Sequence, residues 1–161
     1  MKFLGFLLAF VLLAAPASVY DFKLKTIDGD DFSLAKFKGK KILVVNTASK
    51  CGFTKQYADL QKLADLYKDK LVIVGFPANN FGGQEPGSNA DIKQFCSDLF
   101  SVKFLMSGKV SVKGDDIAPL LSILPKLKTL ILKARLNGTL RSFCWTRMEN
   151  CFTATAQQQY L

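Results

Sequence analysis

At 161 residues the chain has the length of one domain, and 49% hydrophobic against 22% charged residues makes it globular rather than disordered. It has no histidine, which excludes Ser-His-Asp and Cys-His catalysis, imidazole metal sites and a histidine pH switch. Its four cysteines, at 51, 96, 144 and 151, include no C-x-x-C pair, so neither a disulfide-stapled miniprotein nor a four-cysteine zinc site is expected, and no cofactor is expected either.

Met1-Lys2, the apolar run Phe3–Ala14 and the small residues Ala15-Pro16-Ala17 have the anatomy of a secretory signal peptide over residues 1–17, with cleavage expected after Ala17. The run is short for a bilayer-spanning helix. No stable membrane insertion is expected after cleavage, and the mature protein is expected to be secreted or periplasmic, where thiols meet oxidants.

Asp28-Gly29-Asp30 is a turn signal between Phe22–Lys25 and Phe32–Leu34 and predicts a small hairpin. Ile42-Leu43-Val44-Val45-Asn46-Thr47 reads as a strand buried on both faces. Thr54 is placed to cap a helix carrying Tyr57, Leu60, Leu63, Ala64 and Tyr67 at helical spacing. A second buried strand, Leu71–Phe76, ends at Pro77, and Ser88 or Asn89 caps a second helix with Ile92, Phe95 and Leu99. Strand, helix and strand in that order imply a parallel pair joined by a crossover.

Cys51 falls between the first buried strand and the first helix. The free N–H groups and partial positive charge of a helix N-terminus stabilise a thiolate, and Lys50 adds a cation beside it. A small buried hydrophobe is the other reading of a free cysteine. The flanks Ser49, Lys50 and Gly52 are not core residues, which favours the reactive thiol.

The segment Asn46-Thr47-Ala48-Ser49-Lys50-Cys51-Gly52-Phe53-Thr54 resembles the peroxidatic motif of the glutathione peroxidase family. Gly75–Asn89, with Asn79-Asn80-Phe81-Gly82-Gly83-Gln84-Glu85-Pro86 at its centre, resembles the second signature of that family, and Lys113-Gly114-Asp115-Asp116 is a weaker third match. The resemblance covers residues 18–121. It implies an α/β, thioredoxin-like fold and a thiol peroxidase that reduces hydrogen peroxide and organic hydroperoxides in defence against oxidative stress. By the same resemblance Cys51 is the peroxidatic residue, which becomes a sulfenic acid. Gln84 is the amide that hydrogen-bonds the reacting sulfur. Cys96, on the second helix, is the resolving cysteine, and a thioredoxin-like protein or glutathione is the reductant. A monomer is expected. Ala78 departs from the family, many members of which have cysteine there, but that position is not the resolver.

Residues 122–161 leave the family frame. The family continues with a Trp-Asn-Phe motif on a strand, another strand and a closing helix, and its Trp and Asn complete the catalytic set. The sole tryptophan here, Trp145, stands in Phe143-Cys144-Trp145-Thr146 with no asparagine after it. Residues 126–161 hold three lysines, three arginines and one acid, so over half of the net charge of +9 resides there. No recognition motif accompanies that charge, and no nucleic-acid partner is expected. The genetic code permits codons for Leu136–Thr146 that, read from the third base, give Lys-Trp-Asn-Phe-Glu-Lys-Phe-Leu-Leu-Asp, the missing family segment. The tail is therefore read as the product of a frameshift near Ser122, in which Cys144 and Cys151 carry no evolved role. Its Leu127, Leu130, Ile131 and Leu132 suit a substitute helix; the family's C-terminal strands and helix are expected to be lost or replaced, and their loss to leave an open sheet edge. The alternative function is that of a truncated, non-catalytic or poorly folded family member.

Overall fold

In the computed structural model the described residues are 18–123, together with the strand backbone at 133–136, 139–148 and 151–156. The signal-peptide reading at 1–17 and the substitute helix at Leu127–Leu132 lie outside them. Strands β1 (Lys23–Lys25) and β2 (Asp31–Ser33) pair antiparallel with Leu24 opposite Phe32. Gly29 supplies the left-handed φ of 90° that their connection requires.

The two apolar runs become β3 (Lys41–Thr47) and β4 (Leu71–Pro77), parallel from Lys41↔Leu71 to Thr47↔Pro77. Helix α1 (Gln56–Leu66) connects them. Successive side chains of β3 point to opposite faces and both faces are covered. Leu43 and Val45 enter one core with Ile73, Tyr57 and Leu60, whereas Ile42 and Val44 enter the other with Val74, Phe76, Leu34 and Leu120. That is why these strands read as continuous apolar runs. Each such buried aliphatic side chain contributes about 1.5–3 kcal/mol.

Helix α2 (Asn89–Phe100) lies on the same face as α1 and buries Ile92 and Cys96. Ser88 caps it: the Asp91 N–H donates to Ser88 Oγ at 3.2 Å, and the Ser88 N–H donates to Asp91 Oδ2 at 2.8 Å. The short strand β5 (Leu105–Met106) pairs parallel with β4, and Met106 Sδ lies where a Cβ at Gly75 would collide with it. Helix α3 (Pro119–Ile123) places Leu120 in the second core. One local expectation is corrected. Thr54 caps no helix, since α1 begins after Lys55 with no side-chain cap, and the Thr54 hydroxyl is engaged in the turn that carries Cys51.

Strands β6 (Lys133–Leu136), β7 (Thr139–Met148) and β8 (Cys151–Ala156) complete a sheet of order β5-β4-β3-β8-β7-β6. β8 runs parallel to β3, from Ile42↔Cys151 to Val45↔Ala154, and β7 runs antiparallel to β8. Of the two expectations for the family's C-terminal strands, loss or replacement, the structure shows replacement, so the edge of β3 is not left open. The unpaired N–H and C=O groups of an uncovered β3 edge would demand partners, and the tail provides them.

Candidate active site

The loops that follow β3 and β4 leave from the carboxyl end of the parallel pair, where ligands bind in open α/β sheets. Cys51 lies in the first of these loops and is half-buried. Thr54 shapes its turn. The Cys51 N–H donates to Thr54 Oγ1 at 3.0 Å, and the Thr54 N–H donates to the Cys51 carbonyl at 3.1 Å. The single proton of the Thr54 hydroxyl is directed at the carbonyls of Cys51 (2.7 Å) and Ala48 (2.9 Å). A tight turn thus replaces the direct helix N-terminus that the sequence suggests for this thiol.

The second loop is laced to the first. The Lys50 N–H donates to the Gln84 carbonyl at 3.0 Å, which holds the Gln84 backbone one residue from Cys51. The Ser49 N–H donates to Glu85 Oε2 at 2.8 Å. The Glu85 N–H in turn donates to Asn79 Oδ1 at 3.0 Å, which closes the loop upon itself. Glu85 is only 1% exposed. Burial pushes its carboxyl pKa up, against the pull of the Ser49 hydrogen bonds and the charge of Lys109. In the sequence Glu85 stands out only as one residue of the second signature. An acid flanked by Gln84 and Pro86, in a loop otherwise short of charge, is the signal that could have found it.

The third motif joins the same structure. The Asn80 side chain donates to the Lys113 carbonyl at 2.7 Å and accepts from the Val112 N–H at 3.1 Å. Lys113 Nζ stands 5.6 Å from the centre of the half-exposed Phe81 ring.

Cys96 lies elsewhere, on α2, 2% exposed in the core. Burial pushes its thiol up to about 11, an effect the Glu85 charge reinforces and the Tyr57 hydroxyl opposes. Both thiols are free. Tyr57, on α1, stands between the two environments. It lines a cavity of about 50 Å³ together with Cys51, and it belongs to the core cluster that contains Cys96. The Tyr57 ring packs on Phe100 and Phe104, with centroids 5.5 and 6.4 Å away. The remaining cysteines, Cys144 and Cys151, fall on the backbone of β7 and β8, as does Trp145. Among the described residues no group of three or more Cys, Asp or Glu is placed to hold a metal ion.

A half-buried thiol at the carboxyl edge of a parallel strand–helix–strand unit, with a second thiol buried on the following helix, defines a thiol oxidoreductase on a thioredoxin-like scaffold. Comparison with known proteins specifies it further. The sequence model described as glutathione peroxidase matches residues 19–125. The chain is 43% identical over 129 residues to the glutathione peroxidase-like peroxiredoxin gpx1 of Schizosaccharomyces pombe, covering 80% of this chain and 82% of that protein. It is 40% identical over 143 residues to the glutathione peroxidase homolog BsaA of Staphylococcus epidermidis, covering 88% and 90%. The crystal structure of Trgpx in apo form superposes with a TM-score of 0.54 at 37% identity, covering 79% of this chain and 72% of that one. The chain belongs to the glutathione peroxidase family. It is a thiol peroxidase, an oxidoreductase that acts on peroxide.

Proposed function

We propose that the chain reduces hydrogen peroxide and organic hydroperoxides through Cys51. The Cys51 sulfur attacks one peroxide oxygen, the S–O bond forms as the O–O bond breaks, and the product alcohol or water leaves with the proton that the thiol gave up. Cys96 then attacks the sulfenic acid, the hydroxyl leaves as water, and the Cys51–Cys96 disulfide passes to a thioredoxin-like dithiol protein or to glutathione. Because Cys96 is buried on α2, that second step requires local unwinding to bring the Cα atoms within about 7 Å. The single observation that carries the reading is the half-buried Cys51 in a turn tied at Ser49 and Lys50 to the Gln84-Glu85 loop. The Gln84 amide serves the reacting sulfur as a hydrogen-bonding partner. The setting is secreted or periplasmic, the chain acts as a monomer, and the role is defence against oxidative stress. Cys51→Ser should reduce peroxide consumption to background, since serine forms no stable sulfenic acid. Cys96→Ser should leave the first oxidation intact and block turnover with thioredoxin. Retention of either activity removes that cysteine from the scheme.

A second reading concerns the tail. The absence of a Trp-Asn pair and the abrupt change of composition after residue 125 favour a frameshift near Ser122, which lowers activity without changing its kind. Sequencing the coding DNA tests this. An intact frame lacking codons for the Trp-Asn-Phe segment rejects it.

A further inference from the structure

Tyr57 is tied to the second thiol while it borders the first. Its hydroxyl oxygen accepts a hydrogen bond from Thr47, and its own O–H donates to Cys96. Its ring packs on Phe100, the last residue of α2, and on Phe104 just beyond that helix. One side chain of α1 thus holds α2 both at Cys96 and at its C-terminal end. The same side chain lines the cavity of about 50 Å³ that Cys51 borders. One water needs about 10–15 Å³ of such space, so the cavity admits an oxygen atom added to the Cys51 sulfur.

A phenol has one proton to donate, so Tyr57 serves one acceptor at a time. It keeps that proton, because burial drives its pKa strongly upward, with the nearby Cys96 adding to the effect. Cys96 is held neutral in turn, since burial pushes its thiol up to about 11, and a neutral thiol is a weak acceptor. The oxygen of a sulfenic acid is a stronger one, and stronger again when ionised. We propose that Tyr57 is a positioning residue for the resolving step: oxidation of Cys51 draws the Tyr57 hydroxyl from Cys96 to the new sulfenic oxygen, and α2 is thereby released to unwind. The proposal rests on the reading of Cys51 as the reacting thiol and Cys96 as the resolving one. No covalent bond changes in the exchange. The hydroperoxide has already oxidised Cys51, the phenol proton stays on Tyr57, and only its acceptor differs. The reduced chain therefore keeps Cys96 locked in the core, and the lock opens once there is a sulfenic acid to resolve.

The test reads amide exchange across α2 (Asn89–Phe100) in the full chain, before and after treatment with excess hydrogen peroxide. Cys96→Ser and Cys96→Ala both prevent the disulfide, so Cys51 advances to the sulfinic acid and presents the same oxygen to Tyr57. Only the serine keeps an acceptor for Tyr57 on α2. In Cys96→Ser, oxidation should speed α2 exchange by about fivefold, the worth of one hydrogen bond. In Cys96→Ala, and in Cys96→Ser combined with Tyr57→Phe, exchange should be fast already and unchanged by oxidation. Tyr57→Phe keeps the ring that packs on Phe100 and Phe104. A merely structural role for Tyr57 raises exchange alike in both oxidation states, so the ratio of oxidised to reduced rates is the same in all three chains. An equal ratio overturns the proposal, whatever its value. If the chain with Tyr57→Phe does not fold, the serine and alanine variants decide by the same ratio. A Cys51 that gains no oxygen, or a parent chain that forms no Cys51–Cys96 disulfide, rejects the underlying reading and this proposal with it. Peptide masses distinguish both of those outcomes from an equal ratio.

Discussion

Cys51 and Cys96 differ by their surroundings rather than by their chemistry. Cys51 sits in a polar turn of backbone hydrogen bonds, whereas Cys96 is packed among Ile92, Tyr57 and Phe104. Burial raises the Cys96 thiol from 9.0 to about 11. An unfolded chain therefore releases this proton near pH 9, while the folded chain holds it up to about pH 11. The associated stability is present below the lower value and is lost as pH rises through the upper one. Denaturant unfolding at a series of alkaline pH values should show this loss in the parent chain and a shallower one in Cys96→Ser. Glu85 acts differently. It closes the backbone link from the Cys51 loop to the Gln84 loop, and Glu85→Ala strands the Ser49 N–H. Such a buried, unsatisfied group costs about 1–3 kcal/mol. Glu85→Gln retains an acceptor and should lose less. Urea midpoints of the two variants check the order, and equal losses would mean that the Ser49 bond is not what Glu85 supplies.

At the level of the element, the proposed scheme requires α2 to be stable enough to bury Cys96 and weak enough to release it. Its N-terminus rests on the Ser88–Asp91 capping box. Its C-terminus ends at Ser101 in the left-handed region, with φ 50°. The segment beyond is gripped by α1, where Gln61 Oε1 accepts the Lys103 N–H at 2.6 Å and the Phe104 N–H at 3.1 Å. Ser88→Ala removes the cap and should lower stability by about 1 kcal/mol. Weakening α2 should also hasten formation of the Cys51–Cys96 disulfide after a peroxide pulse. Quenched-flow peptide mapping measures that rate, and an unchanged rate in a destabilised helix would show that release begins at the Ser101 end.

In the molecule as a whole, the tail acts through the sheet. β8 covers the edge of β3, and Ile42–Val45 lie beside it in register. Truncation after Ile123 should accelerate amide exchange in Ile42–Val45 and promote association, because an unpaired apolar edge recruits another chain. Exchange mass spectrometry of the two chains tests this, and equal protection of β3 would mean that β8 adds nothing to its stability. Against a frame-restored chain bearing the Trp-Asn-Phe segment, the 161-residue chain should unfold at lower temperature and turn over more slowly. Strand pairing alone does not supply the Trp and Asn side chains that the family resemblance implies for the catalytic set.

The sequence by itself determined the crossover unit, the hairpin, the Ser88 cap and the position of Cys51, because local rules govern them: strands buried on both faces leave no polar alternation, and turns and caps draw on few residue types. The family motifs were equally legible, since they are contiguous. Tertiary structure alone decided the rest. Thr54 was misread as a cap because the choice between a helix N–H and the Cys51 turn depends on how the chain bends at Ala48. The burial of Glu85, which the sequence shows only as one residue of a motif, was not legible because it arises from a segment far off in sequence: Ser49 is 36 residues from Glu85. The fate of the β3 edge was likewise undetermined. Pairing between residues 42–45 and 151–154 is a long-range contact that no local pattern encodes.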